Sequence, residues 1–90
     1  MNIGNAIRIV RKKKGISQVK LASMIGISQN ALCCIEYGRN IPHKSTLDTI
    51  CKVLDIPISY ILFAAITDED VPQEKLSIFK ALQKPILDLF

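Results

Sequence analysis

Few side chains in this sequence carry reactive or metal-ligating chemistry: Cys33, Cys34, Cys51 and His43. The cysteines form no Cys-x-x-Cys pair. A structural zinc site wants four soft ligands at characteristic spacings, so neither a metal centre nor a cofactor is expected. An odd number of cysteines does not suit a disulfide scaffold, and these thiols are expected to be reduced and to act as small hydrophobes. The single histidine has no serine or carboxylate near it in a plausible triad, and there is no glycine-rich phosphate loop, so an enzyme is not expected. What remains is the chemistry of recognition. Side-chain amides, which donate and accept hydrogen bonds at once, recur through the cationic half of the chain.

The overall charge of +4 hides an asymmetry. Residues 1–44 hold eight cations (Arg8, Arg11, Lys12, Lys13, Lys14, Lys20, Arg39, Lys44) against Glu36 alone, giving +7. Residues 45–90 hold four lysines against seven acids, giving −3. A chain polarised in this way suggests a polyanion as partner for its first half. With 49% hydrophobic and 22% charged residues in 90, the composition is that of one small globular domain. The nearly uncharged stretch 56–67 is too short to span a bilayer, and the N-terminus lacks the pattern of a secretory signal, so a cytoplasmic protein without a membrane partner is expected.

These side chains need elements to position them, and the apolar spacing is helical throughout. Ile3, Ala6, Ile7 and Val10 share one face of a first helix ending near Lys14, with Gly15 beyond it. Ser17 caps a second helix that buries Leu21, Ala22 and Ile25 and stops at Gly26. Ser28 caps a third, which turns Ala31, Leu32 and Ile35 inward and Asn30, Cys33, Cys34 and Tyr37 outward before Gly38. A loop from Arg39 to Lys44 leads to a fourth helix burying Leu47, Ile50, Cys51 and Leu54. Its cap is either His43 or Ser45, and Ser45 with Asp48 fits a capping box. Asp55 ends it, and Pro57 opens a fifth helix through about Ile66.

The fifth helix is more apolar than one buried face requires. An acidic linker follows from Thr67 to Asp70, then an amphipathic stretch to Phe90 in which Pro85 predicts a kink or break near Lys84. Tyr60, Phe63, Ile66, Leu76, Phe79, Leu82 and Ile86 supply a surplus of apolar groups. Their expected use is a two-fold homodimer interface, the alternative being a C-terminal segment that folds back over the fifth helix.

The run from Ser17 to Gly38, SQVKLASMIGISQNALCCIEYG, resembles the lambda-repressor-like helix-turn-helix family, the Cro/XRE phage-repressor group. Gln18 opens the motif, Ala22 sits where the two helices touch, Gly26 makes the turn, and Leu32 and Ile35 fill core positions of the third helix. The resemblance implies an all-α fold: a five-helix DNA-binding domain over residues 1–66, with residues 67–90 as linker and additional C-terminal amphipathic helical segment. It implies that the third helix enters the major groove with Gln29, Asn30, Cys33 and Cys34 facing bases. Gln29 and Asn30 are types that pair bidentately with adenine, whereas the two cysteines depart from the usual polar choice. The resemblance further implies that Gln18, Ser28, Arg39, Asn40 and Lys44 face phosphates, and that Arg11 and Glu36 form an ion pair orienting the third helix.

The expected function is therefore a sequence-specific regulator of transcription, a repressor that binds a two-fold symmetric operator in double-stranded DNA as a homodimer. An antitoxin or a restriction-system controller would use the same module. A protein-interaction module with a vestigial helix-turn-helix is the alternative of a different class. The cationic first half, with Gln18, Gln29 and Asn30 together, argues against it.

Overall fold

A computed structural model describes residues 1–90 and contains helices only. They are α1 (Ile3–Lys13), α2 (Gln18–Ile25), α3 (Gln29–Glu36), α4 (Lys44–Leu54), α5 (Ile58–Ala64) and α6 (Leu76–Leu87). Two single 3-10 turns, Asp68–Asp70 and Gln73–Lys75, join α5 to α6. The ends of the first helices follow local chemistry. Ser17 Oγ accepts from the Lys20 amide at 3.1 Å and Ser28 Oγ from the Ala31 amide at 3.0 Å, each satisfying an amide that its helix cannot. Between α2 and α3, Gly26 takes φ 77°, a left-handed conformation that a side chain would strain. Asp55 adopts the same region at φ 57° to end α4.

Of the two caps expected for the fourth helix, the structure uses the His43 position. Helix α4 begins at Lys44 behind His43, whose side chain makes no cap bond. The Ser45–Asp48 box does not form. Pro42 and an extended His43 turn the chain into the helix two residues earlier than a Ser45 cap would, leaving Ser45 inside it and Asp48 as an acceptor one turn along from Lys44 Nζ at 3.4 Å. A capping box forms instead at Thr67, whose amide donates to Asp70 Oδ2 at 2.8 Å. The Met1 ammonium 2.6 Å away, with the Thr67 amide and hydroxyl, holds the Asp70 carboxyl down to about 2. Pro57 precedes α5 rather than sitting in it, and α5 ends at Ala64, short of Ile66.

The core lies where α1 packs on α3 and α5, α2 on α3 and α4, and α4 on α5. Ile7, Leu21, Leu32, Ile50, Leu54 and Ile61 are fully buried in it. Ile3 and Ile25, expected inside, are half-buried at its edge. Burial, with the Asp48 charge adding to it, pushes the Cys51 thiol above its ordinary value, so this cysteine is an inert core group. One contact is unusually close. A Cβ at Gly4 would overlap the Ile35 carbonyl oxygen, so α1 crosses the end of α3 at a distance that only glycine permits.

The C-terminal segment folds back along α5. Phe63 and Phe79 pack with ring centroids 5.7 Å apart, and Tyr60 meets Phe90 edge-on at 4.9 Å. The Tyr60 hydroxyl and Lys13 Nζ both donate to the Leu87 carbonyl. Tyr60, expected at an interface between copies, is thus spent inside the chain at 5% exposure. Phe63, Ile66, Leu76 and Phe79 are half-buried, and only Leu82 and Ile86 of the expected interface remain exposed. Pro85 does not break α6. The Asp88 amide still donates to the Lys84 carbonyl at 3.0 Å across it, because a proline in the last turn removes one bond near an end already held by Tyr60 and Lys13.

Candidate nucleic-acid interface

The α2–turn–α3 unit presents its amides through a chain of hydrogen bonds that starts in the core. Arg11 reaches from α1 to Glu36 at the end of α3 with two parallel bonds, Nε to Oε2 at 2.7 Å and Nη2 to Oε1 at 3.0 Å. Its remaining donor Nη1 holds the Ile16 carbonyl at 2.9 Å. Arg11 and Glu36 are 7% and 3% exposed, and no buried side-chain nitrogen or oxygen lacks a partner. A buried pair of this kind contributes little net stability, but its two-pronged geometry fixes how α1 and α3 sit.

Glu36 then reaches outward. Gln18 Nε2, at the start of α2, donates to Glu36 Oε1 at 3.1 Å, and Gln29 Nε2, at the start of α3, donates to Gln18 Oε1 at 3.4 Å. The carboxylate only accepts, so it fixes which end of the Gln18 amide points inward. Gln18 then fixes Gln29 in turn. One hydrogen of the Gln29 amide is used, and its other hydrogen and its carbonyl oxygen remain free at an exposed position. A free acceptor beside a free donor is the pattern that matches N6 and N7 of adenine.

The other expected site residues fall around this point. Asn30 is exposed beside Gln29 on the first turn of α3, and Cys33 and Cys34 are half-buried free thiols one turn further on. Ser28 has its hydroxyl committed to capping α3. Arg39 and Asn40 are exposed in the loop after α3, where both backbone amides donate to the Cys34 carbonyl, at 2.9 and 3.4 Å. Lys44 is exposed at the start of α4. Two features escaped the sequence reading. The Gln18–Gln29 link has no signature in spacing, because the residues lie eleven apart on different helices. Ile41 is 85% exposed between Asn40 and Pro42, and an isolated apolar residue in a polar loop was its signal.

No three His, Cys, Asp or Glu side chains converge closely enough to hold a metal ion, and no helix is long and apolar enough to cross a membrane.

Comparison with known proteins agrees with this fold. Residues 7–61, more than half of the chain, match the helix-turn-helix family. The chain is 36% identical over 62 residues to the immunity repressor protein of Bacillus phage phi105, covering 69% of this chain and 43% of that protein. It is 32% identical over 72 residues to an uncharacterized HTH-type transcriptional regulator of Sinorhizobium medicae, covering 80% and 48%. The chain thus spans about half the length of the curated relatives it matches. Among solved structures, the clp gene regulator ClgR of Corynebacterium glutamicum superposes with a TM-score of 0.69 at 28% identity, over 71% of this chain and 83% of that one. A second ClgR structure matches in fold over 98% of this chain and 85% of its own, with a TM-score of 0.70 at 23% identity. Motif, core and comparisons converge: the chain belongs to the helix-turn-helix family, in its Cro and phage-repressor group.

Proposed function

We propose that this chain is a sequence-specific transcriptional repressor that inserts α3 into the major groove of double-stranded DNA, in the cytoplasm. The observation that carries this reading is the relay from Arg11 through Glu36 and Gln18, which presents the Gln29 amide with one donor and one acceptor free. Gln29 and Asn30 read bases, with Cys33 and Cys34 on the groove side behind them. Gln18, Ser28, Arg39, Asn40 and Lys44 approach the flanking phosphates, which position the domain without reading sequence. The phage immunity repressor among the relatives supports repression as the sign of regulation.

One recognition helix covers few base pairs, and the protein acts as a homodimer on half-sites about 34 Å apart. Ile78, Leu82 and Ile86 recur at four-residue spacing on α6 and are all exposed, which suits a second copy. Selecting bound sequences from a random duplex pool tests the reading, and a two-fold symmetric consensus is expected. On that consensus, Gln29→Ala should cost about 1–3 kcal/mol, and much less on random DNA. Equal losses on both would show that Gln29 does not read bases.

A further inference from the structure

Helix α6 lies against the body through a half-buried face of Leu76, Phe79, Gln83 and Leu87. Near its start Phe79 meets Phe63, and at its end the Leu87 carbonyl accepts from Tyr60 and Lys13. No residue of α6 is buried. Between these two attachments Lys80, Gln83 and Lys84 line one side of an open cleft of about 420 Å³. Its inner wall is apolar, made by Ile9 and Val10 of α1 and by Tyr60 and Ala64 of α5. Its lip is cationic. Lys80 is matched by Asp68 at 3.0 Å, but Lys13 holds only a neutral carbonyl and Lys84 has no carboxylate partner, with Asp88 the single acid at the lip. Small-molecule sites are clefts of this size, mostly apolar, with a few polar groups that fix orientation.

We propose that the cleft under α6 binds a small anionic amphiphile, an alkyl carboxylate whose chain lies against Ile9, Val10 and Ala64 and whose head group sits between Lys13 and Lys84. An apolar tail fills space that α6 leaves open, and the head group supplies the carboxylate that these two lysines lack. A neutral or cationic head would gain the first contact without the second. This site is separate from the proposed DNA face and does not depend on that reading.

The test uses sodium decanoate, below its micelle concentration, titrated into the full chain while backbone amide spectra are recorded. Saturable shifts at Ile9, Ala64, Lys84 and Leu87 are expected, with no comparable response to decyltrimethylammonium. Lys84→Glu should weaken binding at least tenfold. Ala64→Leu should do the same by filling the cleft without changing charge. The same spectra report whether each variant folds, and if Ala64→Leu does not, the head-group comparison and Lys84→Glu still decide. Shifts that never saturate, equal binding of the cation, or shifts confined to Ile78, Leu82 and Ile86 on the outer face would overturn the proposal. So would displacement of decanoate by phosphatidylglycerol vesicles, which would make the cleft a membrane contact.

Discussion

All eighteen buried residues lie at or before Ala65, whereas α6, with twelve residues and a similar share of apolar groups, buries none. The two regions are held by different means. Residues 1–66 close a core in which every buried side-chain nitrogen and oxygen is matched. The rest of the chain lies on that core through two aromatic contacts, the half-buried Leu87, two hydrogen bonds to the Leu87 carbonyl, and the Met1 ammonium at Thr67 and Asp70. Regions with few buried contacts open locally at low free energy, while a shared core opens only with the whole domain. The C-terminal segment is thus expected to open at lower free energy than the body that holds α3.

The comparison breaks most severely at the buried ion pair. Arg11→Ala leaves Glu36 charged and unmatched, and thermal or urea unfolding should show a loss of about 3–5 kcal/mol. Replacing both partners, Arg11→Met with Glu36→Leu, should recover most of that stability. Gln18 would still lose its acceptor, so discrimination between the best site and random DNA should fall while the fold survives. A double variant that binds with full discrimination would show that the relay positions nothing.

Removing residues 71–90 should cost less, about 1–3 kcal/mol, mainly by exposing Tyr60 and Phe63. The body should stay helical and unfold in one transition by circular dichroism. Collapse of the truncated chain would mean that the two regions share a core after all. A single-atom change sharpens the point: Tyr60→Phe removes one donor to the Leu87 carbonyl and should cost about 0.5–1.5 kcal/mol. Amide exchange should then quicken along α6 and stay unchanged in α3.

The smallest effect belongs to the hinge between the regions. Asp70 has its carboxyl lowered to about 2 from 3.8, so its contribution is present above the unfolded value and fades as pH falls toward 2. A carbon-detected titration of Asp70 should show that low midpoint. A midpoint near 3.8 would mean that the turn at Thr67 is not held in solution.

Local chemistry made much of the body legible from sequence. Ser17, Ser28, Gly26 and Asp55 act within one turn of themselves, so their residue type already states their geometry. Glu36 stood out as the lone acid among the first 44 residues, and the polar network of the site is built around it. What the sequence hid depends on how helices cross. Gly4 looks like a weak spot in an amphipathic helix until α3 is seen pressed against it. The Gln18–Gln29 bond needs the angle between α2 and α3. The fate of Tyr60 turned on whether its cover came from this chain or another, and hydropathy cannot tell the two apart. Pro85 does not break α6 for a related reason, since in a last turn with outside support a proline removes only one bond.

The Gln29–Gln18–Glu36 relay also constrains how this protein can acquire a new preference. A residue that reads a base in isolation can be exchanged in one step. Here position 29 leans on position 18, and position 18 leans on a buried carboxylate that cannot change without its arginine. A substitution at Gln29 that suits another base strands the Gln18 oxygen, and one at Gln18 frees Gln29 to turn away. Under the proposed function, variants selected for a different operator should therefore carry paired changes at positions 18 and 29. Asn30, whose side chain makes no hydrogen bond within the chain, can vary alone, so under the same proposal single changes of preference should begin there.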